Sequence, residues 1–589
     1  MVKLKIDGKE IEVDNGTTIL RAAQKLGINI PTLCYHEDLP PTGNCGLCVV
    51  EQKGGKTVRS CSTPVVEGME ILTKTPALLR ARKTVVELLL SNHPNDCLEC
   101  PKNGYCELQK IAASLGIRKI SYNHIDRTVT KVDDSSPSII LRPSYCIQCG
   151  RCTQVCQNVQ NVHALETSFR GFNSFVGPTM ERVLNDSECV KCGQCSAVCP
   201  VGAIVEKDDT SLVWEALNNP ELVVVAQEAP AVRVALGEEF GLPVGTNVVK
   251  KMYSALRKLG FKYVFDTNFG ADLTIIEEAS EFAEIFKENP DEFPLITTCC
   301  PSWVDYLEKF FPDLISHFST SKSPHQMLGT MVKTYWAQKI NIPAEKIFLV
   351  SVMPCTAKKY EIDRMEDMYA SGHKDVDATI TTREFARMIK QVGIDLPSLE
   401  DSEADSPLGE YSGAGTIFGA SGGVMEAALR TAYFYITNKE LPNPDIPFVR
   451  GTKGIKEGEI EILGKKIRIA VASGLSNVEK ILLKVREAKE NKKEIPYHFI
   501  EVMACLGGCV GGGGQPYGST IKKREIRASA LYNEDKSLPH RESHNNPSIQ
   551  KLYKEFLEKP LSSKSKKYLH THYIPRPLFK GVHGGKWRE

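Results

Sequence analysis

Eight of the chain's 20 cysteines form an internal repeat, and this repeat constrains the fold more than any other feature of the 589 residues. The first run is Cys146, Cys149, Cys152 and Cys156, and the second, displaced by 43 positions, is Cys189, Cys192, Cys195 and Cys199. Thiolates are soft ligands that favour iron–sulfur clusters, zinc or copper(I). An even number of cysteines also admits a disulfide scaffold, but Cys-x-x-Cys clusters in a large intracellular chain indicate metal.

Pro200 directly follows the second run, as it does in bacterial two-cluster ferredoxins. This pattern predicts two 4Fe-4S clusters in which the fourth cysteine of each run binds the other cluster. One cluster is therefore expected on Cys146, Cys149, Cys152 and Cys199, and the other on Cys189, Cys192, Cys195 and Cys156.

Length and charge narrow the class of protein. A chain of this length is too long for one hydrophobic core and predicts three to five domains. The net charge of +1 gives no basic field for nucleic acid, and no run of about 18 apolar residues predicts a membrane span. The first residues, MVKLKIDGKEIEV, contain no apolar core of signal-peptide length, so a cytoplasmic location is expected.

The first module, residues 1–78, opens with two short apolar runs around Asp7-Gly8, which predict a hairpin, and a helix over residues 18–26. Four cysteines follow: Cys34, Cys45, Cys48 and Cys61. A small sheet with one helix and a cysteine-bearing loop resembles the plant-type, β-grasp ferredoxin, which implies one 2Fe-2S cluster. A zinc knuckle is the alternative.

The second module, residues 79–125, follows a helical pattern at 78–90 with one histidine and three cysteines. These four candidate ligands are His93, Cys97, Cys100 and Cys106. Spacing alone favours zinc and a 4Fe-4S cluster equally. His93 has a further alternative as a surface residue before Pro94. The repeat region, residues 126–210, then makes the first 210 residues an electron-carrying chain without a substrate site.

From about residue 221 apolar strands alternate with amphipathic helices, which predicts an α/β domain. Predicted strands at 222–226, 347–353, 467–472 and 497–503 are expected to deliver residues to one end of a sheet, and a helix is predicted over 232–240. The remaining cysteines lie at or after strand ends beside proline or glycine: Cys299, Cys300, Cys355, Cys505 and Cys509. The alternative for them is an inert, buried set.

Three segments around these cysteines, TTCCPSW, MPCTAKK and EVMACLGGCVGGGGQP, resemble the signature motifs of the iron-only (FeFe) hydrogenases. The upstream modules resemble those of the long, multi-cluster members. The resemblance implies a multidomain α+β and α/β protein. Its parts would be a β-grasp 2Fe-2S domain (1–78), a one-histidine-three-cysteine 4Fe-4S domain (79–125), a two-cluster ferredoxin-like domain (126–210), a large α/β H-cluster domain (211–573) and a tail (574–589).

The resemblance also implies the cofactors: one 2Fe-2S cluster, three 4Fe-4S clusters and an H-cluster. The 4Fe-4S part of the H-cluster would be held by Cys300, Cys355, Cys505 and Cys509. Cys509 would bridge to a two-iron subsite that carries CO, cyanide and an azadithiolate. Lys358 would hold a cyanide through a charge-assisted hydrogen bond. Residues expected to line the pocket are Pro230, Ala231, Ser323, Met353, Phe418 and Met503.

The same resemblance implies a proton route. Cys299 would exchange a proton with the subsite, and Glu278, Ser319 and Glu281 would relay it to the surface. A solvated helix face is the alternative for the glutamates. The sequence departs from the family at three positions: Ala231 replaces a common serine, His325 a common glutamine, and Ile285 an arginine that often ends the route.

The implied activity is reversible H2 oxidation and proton reduction. The start of the tail, Tyr573-Ile-Pro-Arg-Pro, is similar to hydrogenase subunits of NAD-linked, electron-bifurcating complexes, which implies ferredoxin and flavin- or NAD-binding iron–sulfur subunits as partners. The chain has no GxGxxG motif after a strand, so NAD chemistry would belong to another subunit. The alternatives are a stand-alone ferredoxin-linked hydrogenase, a hydrogen sensor, or an electron-transfer subunit of a dehydrogenase; for the tail, the alternative is a disordered terminus.

Overall fold

The computed structural model describes residues 1–125 and 131–579. Within these two ranges no helix combines the length and the apolar character that a membrane span requires. Residues 580–589, which belong to the tail predicted to dock a partner, lie outside the described residues.

The first module is a mixed sheet that covers one helix. Its strands are β1 (Val2–Ile6), β2 (Lys9–Val13), β3 (Val49–Gln52), β4 (Thr57–Arg59) and β5 (Met69–Leu72), and the helix is α1 (Ile19–Lys25). The order in the sheet is β2-β1-β5-β3-β4. The predicted hairpin is confirmed, because Asp7 and Gly8 take the positive φ angles that its two-residue turn needs. The predicted helix is also confirmed, and its N-terminus is capped by the Thr18 hydroxyl.

The next two modules are mostly loops held between short elements. These elements are α2 (Pro76–Ser91), α3 (Glu107–Ser114), β6 (Ile139–Leu141), α4 (Arg151–Gln154), β7 (Glu166–Ser168), β8 (Phe175–Gly177), α5 (Gln194–Val198) and β9 (Ile204–Glu206). β6 pairs with β9, so the two ends of the repeat region are joined. Each cysteine run is interrupted by a glycine with positive φ, Gly150 or Gly193, which starts a short helix.

The large domain contains two four-stranded sheets rather than the single sheet expected from the sequence. Its strands are β10 (Val223–Glu228), β11 (Tyr263–Asp266), β12 (Leu295–Ile296), β13 (Ile347–Met353), β14 (Ala378–Thr381), β15 (Ile455–Ile462), β16 (Lys465–Ser473) and β17 (Phe499–Met503). One sheet has the order β11-β10-β13-β14 and is parallel. The other has the order β12-β17-β16-β15, in which only β15 is antiparallel.

Helices surround both sheets. They are α6 (Thr210–Leu217), α7 (Pro230–Arg233), α8 (Val249–Leu259), α9 (Thr267–Glu288), α10 (Pro301–Phe310), α11 (Pro324–Met331), α12 (Ala337–Lys339), α13 (Lys358–Glu361), α14 (Thr382–Gln391), α15 (Gly413–Ile417), α16 (Gly423–Thr437), α17 (Leu475–Glu490), α18 (Ile521–Ser537), α19 (Pro547–Leu552) and α20 (Ser563–Leu569). The predicted helix over 232–240 is wrong as one element: α7 ends at Arg233, and a separate 3-10 turn covers Leu236–Phe240. Arg233 is fully buried and bonded to Glu228 and Asp266, which fixes the short helix to the sheet.

The C-terminal segment, α18 to α20, returns across the large domain. Arg524 in α18 forms a two-point ion pair with Asp38 of the first module. Beyond α20, Thr571 donates its backbone N–H to Thr320, and Arg576 pairs with the buried carboxylate of Glu308. The segment therefore connects distant parts of the chain.

Arg383 in α14 joins three parts of the molecule. Its guanidinium donates to the carbonyl oxygens of Gln515 (2.6 Å) and Gly513 (2.8 Å), and to the carboxylate of Glu206 in β9 (2.8 Å). The side chain is 3% exposed. Burial opposes the ionisation of Glu206, yet the Arg383 charge keeps the pKa of this carboxyl well below its usual range. The pair is thus a buried ion pair with nearly all its hydrogen bonds satisfied.

Replacing Arg383 by leucine should lower the apparent free energy of unfolding by about 3–5 kcal/mol, because it strands a buried carboxylate and two carbonyl groups. Arg387→Leu is the matched control: Arg387 also bonds Glu206, but its side chain is 29% exposed, so a loss of about 1 kcal/mol is expected. Thermal and denaturant unfolding of the two purified variants measures this. Equal losses in both would contradict the buried clamp.

Candidate functional site

The five cysteines of the large domain line one cavity between the two sheets. Cys299 and Cys300 follow β12, Cys355 follows β13, and Cys505 and Cys509 follow β17. The carboxyl ends of parallel strands are where α/β folds usually place ligand sites. Here two sheets contribute instead of one, and the cavity occupies the space between their ends.

The structure places most of the predicted pocket residues on this cavity. Pro230, Ala231, Met353, Phe418 and Met503 line it. Ser323 lies instead on a small neighbouring cavity with Thr298 and Glu361. Residues that the sequence analysis did not select also line the main cavity: Thr267, Ala271, Pro354 and Gly419. They carry no titratable or metal-binding group, so the sequence held no chemical signal for them.

Burial determines the protonation of the thiols around the cavity. It raises the pKa of Cys299 well above its usual range, and the nearby Glu278 and the neighbouring cysteines add to the shift. It also raises the pKa of Cys355 to about 12. In the protein alone Cys299 is therefore a neutral thiol, a group that can donate or accept a hydrogen bond.

Lys358 provides the cationic group at the cavity. Its ammonium donates to the Glu361 carboxylate (2.6 Å) and to the Cys299 carbonyl oxygen (3.2 Å). Burial opposes the ionisation of Glu361, but the Lys358 charge and His325 hold the pKa of this carboxyl at about 2. Glu361 was missed by the sequence analysis, and its position three residues after Lys358 in α13 was the available signal.

His325, one of the three departures from the family pattern, lies against the same carboxylate. Its Nε2 is 2.6 Å from Glu361, and its Nδ1 is 3.2 Å from the Ser351 hydroxyl. Burial, together with the Lys358 charge, lowers the pKa of His325 to about 4. The ring is thus neutral at pH 7 and donates one hydrogen bond to Glu361, as a glutamine amide would.

Helix α9 carries the predicted proton route. Glu278 is fully buried, so the alternative of a solvated helix face is wrong for it. Neither of its carboxyl oxygens has a hydrogen-bond partner among the described residues. Burial and the charge of Glu281 raise the pKa of Glu278 to about 8, although Ser319 beside it lowers the pKa in part. Glu281 lies farther out and accepts hydrogen bonds from the Thr320 backbone and hydroxyl.

The repeat cysteines surround two further cavities. One is lined by Cys146, Cys149, Cys152 and Cys199, and the other by Cys156, Cys189, Cys192 and Cys195. In each set the fourth thiol comes from the other run. The described geometry therefore brings together the same crossed sets that the spacing predicts.

The cysteines of each N-terminal module lie close enough to affect one another's ionisation. Cys45 and Cys61 lower the pKa of Cys34, and Cys61 lowers that of Cys48. In the second module, burial followed by the charges of Cys100 and Cys97 raises the pKa of Cys106. His93 is 7% exposed, and its ring meets Tyr145 edge-on at 5.6 Å, so the surface alternative for this histidine is wrong.

Short contacts connect the N-terminal modules to the first repeat site, and the second repeat site to the cavity of the large domain. A Cβ on Gly202 would lie 2.6 Å from Cys100 Sγ, and Asn44 donates to the Cys149 carbonyl oxygen (3.4 Å). Both N-terminal modules thus touch the site lined by Cys146. At the other end, Gln194 donates to Cys505 Sγ (3.1 Å), which joins the second repeat site to the cavity of the large domain.

The donor set and its surroundings fit iron–sulfur centres. Four thiols on one cavity are the ligand set of a cubane cluster, and zinc is the other metal that accepts them. Lys102 lies near Cys199, and its buried ammonium lies over the Tyr517 ring, 3.0 Å from the centroid, but has no hydrogen-bond partner among the described residues. An anionic cluster beside it would compensate this charge. The Ser323 hydroxyl beside the main cavity likewise lacks a partner in the described part of the chain.

Models of known families match nearly the whole chain. They are a 2Fe-2S iron–sulfur cluster binding domain (1–76), the iron–sulfur binding region of NADH-ubiquinone oxidoreductase G (82–121), a 4Fe-4S dicluster domain (141–203), the C-terminal domain of the iron-only hydrogenase large subunit (222–513) and the iron hydrogenase small subunit (521–576). These matches confirm the predicted fold class of ferredoxin-like modules followed by an H-cluster domain.

Full-length relatives agree. The chain is 48% identical to the NADP-reducing hydrogenase subunit HndD of Solidesulfovibrio fructosivorans, over 98% of this chain and 99% of the relative. It is 42% identical to iron hydrogenase 1 of Clostridium pasteurianum, over 97% of this chain and 100% of the relative. A solved structure of FeFe-hydrogenase HydA1 from Chlamydomonas reinhardtii matches with a TM-score of 0.56 and 40% identity, over 63% of this chain and 100% of that chain. The chain therefore belongs to the iron-only (FeFe) hydrogenase family, and it is a hydrogenase with 2Fe-2S and 4Fe-4S cluster domains.

Proposed function

We propose that this hydrogenase is the catalytic subunit of an electron-bifurcating complex that couples H2 to ferredoxin and NAD. The observation that carries the hydrogenase site is the cavity lined by Cys299, Cys300, Cys355, Cys505 and Cys509. The complex is supported by the 48% identity to a relative named as a subunit of an NADP-reducing hydrogenase. The stand-alone, ferredoxin-linked hydrogenase is the alternative.

The proposed cofactors are one 2Fe-2S cluster, three 4Fe-4S clusters and an H-cluster. The 2Fe-2S cluster would be held by Cys34, Cys45, Cys48 and Cys61. One 4Fe-4S cluster would be held by His93, Cys97, Cys100 and Cys106, and the other two by the two crossed sets of the repeat. Cys300, Cys355, Cys505 and Cys509 would hold the H-cluster. The support is that each set of repeat thiols lies on one cavity. The proposed domains remain 1–78, 79–125, 126–210 and 211–573, followed by the tail from 574.

When bound, the H-cluster supplies the redox chemistry by which H2 is split or formed. The chain's residues supply a mostly apolar pocket and separate routes for protons and electrons. The Cys299 thiol would exchange the proton at the cavity, and Glu278, Ser319 and Glu281 would carry it outward. Lys358 would offer its ammonium to an anionic ligand of the cluster. Glu278, with a pKa of about 8, can release and bind protons near neutral pH.

Electrons would travel through the repeat sites to the N-terminal modules. Both of these modules contact the site lined by Cys146, so the route would branch there. One branch ends at the 2Fe-2S module and the other at the module of His93. A branched route offers separate contacts for two electron partners, which is what a bifurcating complex with ferredoxin and NAD-linked subunits requires. A cytoplasmic location fits these partners.

Cys299→Ala should reduce H2 production by at least about 100-fold, because it removes the proton-exchanging thiol without removing a cluster ligand. The infrared bands of bound CO and cyanide should persist, which shows that the H-cluster is still loaded. The comparison requires matured, full-length protein assayed with an artificial electron donor. A variant that keeps its infrared bands and most of its rate would refute the role of Cys299.

Gln194→Leu should lower the midpoint potential of the 4Fe-4S part of the H-cluster. Its amide N–H donates to Cys505 Sγ, and this bond stabilises the more negative, reduced cluster. A neutral hydrogen bond contributes about 1 kcal/mol, which corresponds to about 40 mV for one electron. Redox titration monitored by infrared or electron paramagnetic resonance spectroscopy measures the shift.

Gln160→Leu is the matched control for this experiment. Gln160 is also buried and lies beside Cys505, but its amide donates to the carbonyl oxygen of Ala504 and not to sulfur. The midpoint potential of the cluster in this variant should stay close to that of the wild type. Equal shifts in both variants would assign the effect to packing.

The complex is tested by assaying H2 production with reduced ferredoxin and NADH, separately and together. In the presence of its partner subunits the enzyme should need both donors, because each alone feeds only one branch. The isolated chain should accept an artificial donor but not NADH, since it has no nucleotide-binding motif. A full rate with ferredoxin alone, whether or not the partners are present, would favour the stand-alone enzyme.

A further inference from the structure

The outer end of the proposed proton route has an unusual composition. Glu277, Glu281 and Ile285 follow one another at four-residue spacing on α9, so they lie on one stripe of the helix. Ile285 packs against the apolar cluster of the large domain. The stripe therefore offers no basic group beyond Glu281, although the proton route needs a group that exchanges protons with water. Lys287, also on α9, lies off this stripe and donates to the Tyr435 carbonyl oxygen (2.8 Å).

A histidine from another part of the chain lies at this stripe. His570 follows α20, and its ring lies between the two carboxylates: Nε2 is 3.0 Å from Glu277, and Nδ1 is 3.6 Å from Glu281. Backbone hydrogen bonds on both sides hold it there, from Lys322 to Leu569 and from Thr571 to Thr320, each 2.8 Å. The residue lies within the match to the iron hydrogenase small subunit.

The Thr320 hydroxyl links His570 to Glu281. Its oxygen is 2.5 Å from the Glu281 carboxylate and 2.6 Å from His570 Nδ1. A hydroxyl has one proton to donate, so both contacts are satisfied in only two arrangements. In one, the imidazolium donates to Thr320, which donates to ionised Glu281. In the other, protonated Glu281 donates to Thr320, which donates to the neutral imidazole. The two differ by the transfer of one proton across the hydroxyl.

Glu277 holds the ring in the orientation that this transfer needs. Its buried carboxylate accepts from Tyr553, Ser565 and the Leu561 backbone as well as from His570. Burial opposes its ionisation, but the hydrogen bond and charge of His570 lower the pKa of Glu277. Ionised Glu277 keeps the proton on Nε2 and leaves Nδ1 to alternate between donor and acceptor towards Thr320.

We propose that His570 is the proton-exchange group at the outer end of the route, that Thr320 connects it to Glu281, and that Glu277 is its positioning residue. The small-subunit-like segment would then supply a functional group to the hydrogenase as well as structural support. This inference rests on the proposed route through Cys299, Glu278 and Glu281. The His570 side chain is 7% exposed and the Glu281 side chain 13%. Thr320 between them is exposed, so the outer end of the route is in contact with water.

The test uses full-length, matured holoenzyme with an artificial electron donor, so that the iron–sulfur chain does not limit the rate. In His570→Gln the amide can still donate a hydrogen bond to Glu277, but it cannot take up and release a proton as the imidazole can. It should slow H2 production and the exchange of D2 with water by at least about tenfold, and increase the solvent isotope effect. The infrared bands of bound CO and cyanide should be unchanged. Added imidazole should restore at least part of the rate of His570→Ala.

His544→Gln is the matched control. His544 is also a buried histidine of the small-subunit-like segment, bonded to the Thr431 hydroxyl and the Glu440 carboxylate, but it lies away from the route. This variant should keep the wild-type rate and isotope effect. Thr320→Val tests the link without altering His570: it keeps the backbone contact with Glu281, and it should slow exchange as His570→Gln does, with no rescue by imidazole.

The outcomes separate this inference from the proposed function. If Glu278→Gln abolishes exchange while His570→Gln and Thr320→Val keep the wild-type rate and isotope effect, the inference is overturned and the route stands. If Glu278→Gln keeps the wild-type rate, the route itself fails. Should His570→Gln not fold, Thr320→Val decides between these results. Loss of rate in His544→Gln equal to that in His570→Gln would reduce His570 to a structural role and overturn the inference.

Discussion

The close approach of the glycine-rich segment 507–514 to three other segments determines the geometry of the active-site region. A Cβ on Gly508 would lie 2.5 Å from the Ser421 nitrogen, one on Gly512 2.2 Å from the Pro354 oxygen, and one on Gly513 2.4 Å from the Cys192 oxygen. Real side chains do not reach such distances, so only glycine permits these contacts. The segment thereby fixes Cys505 and Cys509 relative to Cys355 and to the last repeat site. Arg383 holds the same segment through its carbonyl groups, which couples the position of the loop to β9 of the ferredoxin-like module.

The proposed electron and proton routes reach the cavity through different elements. On one side Gln194 of α5 contacts Cys505, so electrons would arrive through cysteine-bearing loops. On the other side Glu278 of α9 lies near Cys299, and its buried carboxyl has no hydrogen-bond partner among the described residues. Burial favours the neutral form of this carboxyl, and the charge of Glu281 adds to the effect, so the pKa of Glu278 is raised to about 8. The Lys358–Glu361–His325 cluster also lines this region, but there each charge is paired, so its protons stay in place at neutral pH.

Cysteine spacing was sufficient to group the thiols of the repeat, because metal binding restricts both residue type and separation along the chain. The crossed grouping of Cys156 and Cys199 follows from the two-cluster ferredoxin pattern, and the described cavities contain the same groups. The ligand set of the large domain came instead from the resemblance to the hydrogenase family. Strands β10, β13, β16 and β17 were also predicted from apolar runs, whereas β11, β14 and β15 were not. The division of the strands into two sheets could not be predicted either, since a run of Val and Ile does not specify which strand it pairs with. Most glycines of segment 507–514 allow close contact with other backbone segments, and Gly508 and Gly512 also line the cavity.

Two titratable groups that sequence reasoning missed contact partners distant in the chain, although Glu361 also pairs with Lys358 three residues before it. Glu361 binds His325 across 36 positions, and His570 reaches Glu277 across 293. Neither contact has a periodic or motif-like signal, so only the folded structure brings the pairs together. Ile285 was recognised as a departure because it removes a basic residue from α9. The structure offers a basic residue at the same stripe from the C-terminal segment, at a point where Thr320 can pass one proton in either direction. An enzyme that works reversibly needs such symmetry at the end of its proton route, because the group that releases a proton during H2 oxidation must accept one during H2 production. A histidine meets this requirement near neutral pH, whereas an arginine, which stays charged, can only attract or position the ions that exchange.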